Sequence, residues 1–303
     1  MIRMKMLLVS ALIGAATLPL LGQSYSSGQP VWPAFEGWEK NDDGSSSLVF
    51  GYMNDNWQEE FDVPIGPENS IDPGGPDRGQ PTHFQPRRNR FVFRVRVPKD
   101  WGDKELVWSL TTHGVARKAF GSLRTDLLIE NIDIMSETGA LGAGTSNPEI
   151  RADKPPTITI VDPRSLTATV GKPVTLTAIV TDDGVPRPRR SGVGRGRGSE
   201  SPEFTPPERI TVGKNLGLHL SWFVYRGAGA SVTFEPRQIK TWEDTRDGAN
   251  SPWAPRWIAP PVPPDGKYVV TATFDQPGTY VLRARADDGA LTSDEDVTVT
   301  VSR

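Results

Sequence analysis

The sequence predicts an all-β protein of two β-sandwich-like domains joined by a Gly/Ala/Pro linker. Short segments alternate apolar and polar residues with period two through much of the chain, the pattern of strands with one buried face. Glycine (30) and proline (28) together make up nearly a fifth of the 303 residues, which suits frequent turns between short strands. Only 125–136 has weak helical character.

The chain opens with Arg3 and Lys5, followed by a charge-free run from Met6 to Leu21 rich in Leu, Ala and Val. A basic head, an apolar middle and a return to polarity at Gln23-Ser24 are the marks of an export signal, so 1–22 is read as a signal peptide. Cleavage after Gly22 fits, although Leu20 departs from the usual small residue. A membrane is reached only through this segment if it stays uncleaved. The expected location is periplasmic or extracellular. The whole chain carries a net charge of −3, and loss of Arg3 and Lys5 makes it more acidic, which gives no global reason to bind nucleic acid. There is no cysteine, hence no disulfide, thiol nucleophile or Cys-ligated zinc. Each domain must be held by its core.

A first domain is expected over 31–136. Its strand candidates are 47–52, 90–97, 105–112 and 115–120. In the second of these, Phe91, Phe93, Val95 and Val97 alternate with Val92, Arg94 and Arg96. Trp108 falls on the apolar face of the third and is assigned to the core. The segment 64–88 is dense in Gly, Pro, Asp and Asn, and long loops of this kind are commonly functional or mobile. Residues 137–156 read as a linker.

The second domain is expected over 157–303. Val174, Leu176, Ala178 and Val180 share a face, as do Leu218, Leu220, Trp222 and Val224, which turns His219 the other way. The segments 268–274, 280–286 and 297–301 alternate as well. Five or more short strands with turn signals point to a sandwich.

The segments from Pro173 to Gly184, Leu220-Ser221-Trp222, Pro277 to Leu282, Ala286-Asp287-Asp288-Gly289 and Val297 to Val301 resemble the PKD-like and related Ig-like modules of bacterial exported proteins. The resemblance covers about half the chain. It implies a core centred on Trp222 and Leu282, with Tyr280 as a tyrosine corner whose hydroxyl bonds to backbone. Two long loop insertions, 185–214 and 237–267, depart from a minimal module. The first domain resembles the N-terminal part of uncharacterised exported bacterial proteins through Val49 to Asn54 and Gly79 to Phe84, which implies no activity.

Candidate chemistry is sparse. His83, His113 and His219 lie far apart without metal-type spacing. His83 is the one of interest, in the 64–88 loop near Arg87 and Arg88, as a candidate binding, catalytic or metal residue, although a structural contact within the loop is the commoner role. The carboxylates Glu59, Glu60 and Asp62, with Asp72 and Asp77, could serve a glycosidase at the correct separation, although solvated acidic loops are commoner. Asp182, Asp183, Asp287, Asp288, Asp294 and Asp296 sit at strand ends and form a candidate calcium set, the one cofactor considered. Plain turn chemistry is the competing reading. Trp32, Trp38, Trp57, Trp101, Trp242, Trp253 and Trp257 fall in loops or linkers; Trp57, Trp101, Trp242, Trp253 and Trp257 are the candidates to offer stacking platforms to a polysaccharide or protein, and folding back over an open sandwich end is the competing reading. Five arginines between Arg187 and Arg197, including Arg189 and Arg190, stand without an acid among them; they suit a disordered insertion or contact with an anionic envelope partner. The expected function is non-catalytic binding or structure at the envelope. The alternative is a secreted hydrolase or carbohydrate-binding accessory with its site in 64–88. Convergence of His83, Asp77 and a nearby Glu would favour the enzyme.

Overall fold

A computed structural model describes residues 26–137, 147–187, 212–213, 217–238, 241–242 and 261–303. The strands run β1 (Val31–Lys40), β2 (Ser46–Asn54), β3 (Phe61–Asp62), β4 (Asn69–Asp72), β5 (His83–Phe84), β6 (Arg87–Val97), β7 (Leu106–Thr112) and β8 (Val115–Gly121). After a 3-10 turn at Thr125–Leu127 come two short helices, α1 (Asn131–Glu137) and α2 (Pro148–Arg151). The second half holds β9 (Thr157–Ile160), β10 (Ser165–Thr169), β11 (Val174–Thr181), β12 (Val212–Gly213), β13 (His219–Arg226), β14 (Val232–Glu235), β15 (Thr241–Trp242), β16 (Lys267–Phe274), β17 (Gly278–Asp287) and β18 (Thr292–Ser302). The protein is all-β.

In the first half, the antiparallel sheet β1-β2-β6 packs against β4-β7-β8, with the short β3-β5 pair at one end. The aromatic centre is Trp108, fully buried, with Phe50 and Phe93 edge-on to it at 6.2 and 5.0 Å. Its indole N–H donates to Asn69 Oδ1 at 3.0 Å, so the polar edge of the ring is satisfied inside the core.

The alternation expected along β6 breaks at Phe91. A bulge between β2 and β6 places Phe91 at φ 51°, a left-handed conformation rare for a bulky residue. Phe91 therefore leaves the face of Phe93, Val95 and Val97 and joins Val49 on the opposite side of the sheet. Gly51 makes the bulge sterically feasible: a Cβ there would lie 2.4 Å from the Asn89 carbonyl oxygen.

In the second half, β10-β18-β17-β13 faces β14-β16-β11-β9. Their inner faces meet over Leu176, Ala178, Trp222, Phe274, Tyr280, Leu282, Ala284, Val297 and Val299, all buried. The Tyr280 hydroxyl donates to the Gln276 carbonyl at 3.0 Å and lies 2.9 Å from Ser231 Oγ. A parallel pair, β12-β15, lies outside both sheets.

The halves are not beads on a string. Tyr225 from β13 is buried in the first core, with Phe223 and Val281 against it. A third apolar cluster joins Val49, Phe91, Ile134 and Met135 of the first half to Ala290 and Leu291 of the second, with Ile150 of α2 packed on it. The end of the segment read as a linker is thus folded against both sheets.

Candidate functional site

The 64–88 segment is the main joint between the halves. Thr82 N–H donates to the Tyr225 carbonyl and Gly227 N–H returns a bond to Thr82 Oγ1. The Tyr225 hydroxyl donates to the Gly79 carbonyl at 2.5 Å. Arg226 grips Asp77 with both terminal nitrogens, at 3.0 and 2.8 Å, and its Nε donates to the Gln80 carbonyl. Paired N–H groups of this kind fix orientation as well as charge. Arg283, stacked over the Tyr225 ring at 3.5 Å, donates to the Val92 carbonyl and is held by Asp296.

His83 sits at the middle of this joint and is 5% exposed. Its Nδ1 is 2.8 Å from Asp62 Oδ1 and its Nε2 is 3.3 Å from Glu60 Oε2. Two carboxylates on opposite ring nitrogens require both nitrogens to donate, which makes the ring an imidazolium. Burial pushes its pKa down, but the bonds and charges of Asp62 and Glu60 outweigh burial and hold it at about 9. Burial likewise pushes Asp62 up, and His83 together with the Gly229 N–H outweighs it and leaves the carboxyl below its ordinary value. That N–H, from the second half, reaches Asp62 Oδ1 at 3.1 Å. The His83 ring also covers Gly229 so closely that a Cβ there would fall 2.0 Å from Cε1.

The loop histidine is thus placed as a structural contact and not as an open binding group. His83 is a charged rivet between the halves, and a ring held as imidazolium with both nitrogens engaged is neither a base nor a ligand. Asp77 does not join it. Of the neighbouring acids, Glu59 accepts from the Gly28 N–H and lies 3.4 Å from His113 Nε2. A cavity of about 60 Å³ lies between the halves, lined in part by Tyr52, His83, Asn89, His219, Ser221 and Tyr225. That volume holds a few waters and no sugar ring. Trp222 Nε1 and Gln85 Oε1, both buried and without a protein hydrogen-bond partner, belong to residues that line it. His219, expected on an open strand face, is 3% exposed because the first half covers that face.

Of the two readings of Trp101, an open platform or a ring folded back, the structure has the second. Trp101 is 7% exposed, folded back so that its indole N–H donates to the Lys104 carbonyl at 2.8 Å. Trp57 is half-buried with Arg87 over its ring at 4.6 Å, a cation–π contact. Trp32 and Trp38, expected in loops, lie in β1: Trp32 is 46% exposed and carries Arg117 over its ring, and Trp38 is buried. Trp242 lies in β15, and nothing is described of its side chain. Trp253, Trp257, Arg189 and Arg190, like 1–22, lie outside the described residues.

The six aspartates of the candidate calcium set divide in two. Asp294 pairs with Arg285 at 2.8 Å and Asp296 with Arg283 at 2.7 Å. The other four form Asx turns: Asp182 accepts from Gly184, Asp183 from Val185, Asp287 from Gly289, and Asp288 from both Ala290 and Leu291. Asp153, two residues beyond α2, comes to lie among them and went unnoticed in the sequence because nothing around it signals a site. Burial and the charges of Asp183 and Asp182 push its carboxyl up to about 7. Burial, together with the charges of Asp153 and Asp287, holds Asp288 at about 8 against the bonds from Ala290 and Leu291. Among the described residues, no three His, Cys, Asp or Glu side chains stand ready-grouped around a metal position.

No protein-family model matches the chain, and no curated protein matches it. Among solved structures it is similar to domains 4 and 5 of the S-layer protein SbsC, with 8% identity, 66% of either chain covered and a TM-score of 0.25. It is similar to the D00-D0 domain of Intimin, with 12% identity, 89% of this chain and 100% of that one covered, and a TM-score of 0.24. A third is the adhesin InvE of Yersinia pseudotuberculosis, with 10% identity, 92% and 61% covered, and a TM-score of 0.22. The chain spans 61% of the InvE chain and 66% of the SbsC fragment. Likenesses this distant assign neither residues nor activity.

Proposed function

We propose that the protein is an exported, non-catalytic binding or structural component of the cell envelope, in which two β-sandwiches act as one stiff unit. One observation carries the reading: the loop and histidine best suited to chemistry are consumed as the joint. His83 is saturated by Asp62 and Glu60, Asp77 is taken by Arg226, and the adjoining cavity admits only water-sized occupants. An exported protein without disulfides gains from such a joint, because each half stabilises the other. The PKD-like assignment of the second half, within the Ig-like sandwiches, belongs to the same proposal.

The test has two arms. The first is fractionation and cross-linking of cells exporting the full chain, which should recover it outside the cytoplasm and bound to an envelope protein or polysaccharide. The second is a panel of polysaccharide and ester hydrolyses with the wild type and His83→Gln, for which no turnover sensitive to His83 is expected. Turnover abolished by that substitution would overturn the reading in favour of a secreted hydrolase.

A further inference from the structure

The first sandwich carries, at the edges of its sheets, an arrangement that its core does not need. β1 and β8 are edge strands of the two facing sheets. Trp32 of β1 is 46% exposed, and its indole N–H donates to Asp55 Oδ2 at 2.7 Å. Arg117 of β8 lies over the ring, its guanidinium carbon 4.1 Å from the centroid. The hydrogen bond fixes the plane of the indole and the arginine covers one face, so the other face is the one left to water. Asp55 also joins a second stack. Its carbonyl accepts from Arg87 Nη1 at 2.6 Å, and Arg87 lies over the half-buried ring of Trp57 at 4.6 Å. One residue thus links two indole–guanidinium pairs.

Packing does not account for these pairs. A large aromatic side chain left half open forgoes the burial that its area offers. The Asp55 bond then holds the exposed ring rigid in water, which no interior contact requires. Arg117 is unusual as well. It stands opposite the core residue Leu110 in register, and its Nε is buried with no hydrogen-bond partner. Its Nη1 makes only a long bond, 3.4 Å, to the Val115 carbonyl. Elsewhere arginines are answered by carboxylates: Arg88 by Glu36, Arg94 by Glu39, Arg226 by Asp77 and Arg283 by Asp296. Among the described residues, no carboxylate answers Arg117.

We propose that the Trp32–Arg117 and Trp57–Arg87 pairs form a docking surface for an acidic polysaccharide, with a sugar ring on the open face of Trp32 and its carboxylate on Arg117. Charge complementarity selects this occupant. A uronic-acid polymer presents one carboxylate for each flat, C–H-lined ring, which matches one guanidinium for each indole. Arginine's planar fork takes a carboxylate with two N–H groups and stacks on an aromatic face at the same time. A nucleic acid calls for a broadly basic face, and this chain has a net charge of −3. An acidic peptide carries its carboxylates on flexible stems, with no ring to meet the indole. An acidic glycan as ligand presupposes the binding role proposed above.

The experiment is a calorimetric titration of the full chain with polygalacturonate at about 50 mM NaCl, for the wild type, Trp32→Ala, Trp32→Phe and Arg117→Gln. Dextran, polyglutamate and single-stranded DNA are titrated beside it, and a thermal melt of each variant checks its fold. The wild type should bind polygalacturonate, more weakly as salt rises, and should not bind dextran. Trp32→Ala and Arg117→Gln should each weaken binding about tenfold or more, and Trp32→Phe, which keeps an aromatic face, by at most about threefold. Polyglutamate and DNA should bind at least about tenfold more weakly than polygalacturonate. No heat with polygalacturonate, undiminished binding in Trp32→Ala and Arg117→Gln, or equal binding of polyglutamate or DNA would sink the proposal. If Trp32→Ala melts early, Arg117→Gln decides alone, and unchanged binding in it has the same force. Cross-linking to an envelope protein, together with no heat from polygalacturonate, would remove the glycan and leave the binding role standing.

Discussion

Substituting His83→Gln keeps a hydrogen-bonding side chain between Asp62 and Glu60 and removes its charge. The pKa of His83 rises from 6.5 to about 9 on folding, and at about 1.4 kcal/mol per unit this is worth on the order of 3 kcal/mol. The side chain is only 4% exposed, so solvent screening takes little from that figure. A group whose pKa is raised in the folded state contributes in full below its unfolded value; the contribution is lost as pH climbs from about 6.5 through 9. Urea unfolding followed by tryptophan fluorescence at pH 6 and pH 9.5, with EGTA throughout, measures it. The wild type should lose about 3 kcal/mol more than His83→Gln over that interval. Asp153 and Asp288 titrate identically in both proteins and cancel in the difference. Equal losses in the two proteins would refute the imidazolium rivet.

Other outcomes follow from the same contacts. Gly229→Ala drives a Cβ to within 2.0–2.5 Å of the His83 ring and should cost about 1–3 kcal/mol as an overpacked contact, with faster proteolysis at the 64–88 segment as the readout. Trp222→Ala empties the centre of the second sandwich and should cost roughly 3–5 kcal/mol in denaturant unfolding. Tyr280→Phe removes the bond to the Gln276 carbonyl and the contact with Ser231, a loss of about 1–2 kcal/mol with the fold retained by circular dichroism. In EGTA, stability should fall as pH rises from about 4 to 8, because Asp153 and Asp288 have folded pKa values raised to about 7 and about 8; such acids favour folding only while protonated. Asp288→Asn should flatten that fall.

Much of the fold was legible in the sequence, for a local reason. Side chains on a strand alternate between two faces, so Leu220, Trp222 and Val224, or Tyr280, Leu282, Ala284 and Ala286, announce both strand and inner face from a few neighbouring residues. The strand Val31–Lys40 was missed because Pro33 and Gly37 are strand breakers by type, and a bulge between Phe35 and Gly37 leaves Gly37 and Trp38 buried side by side instead of alternating. Phe91 misled because a bulge shifts the count of faces by one, and that bulge depends on Gly51 of the neighbouring strand. The short strands β3, β4 and β5 are too brief to carry a period.

Amino-acid order by itself determined the all-β class and the inward face of the regularly alternating strands, such as those of Trp108, Trp222 and Tyr280. It also held the pattern of an export signal over 1–22, outside the described residues. Tertiary structure alone decided what the outward faces meet. His83 and Gly229 stand 146 positions apart, Arg226 and Asp77 149, and Asp153 and Asp288 135; no local period links such pairs. Whether a histidine is an exposed ligand or a buried cation, and whether an aspartate is answered by arginine or by another aspartate, depends on charge and solvent at distances of a few ångströms. Those distances exist only once the two sandwiches have closed on each other.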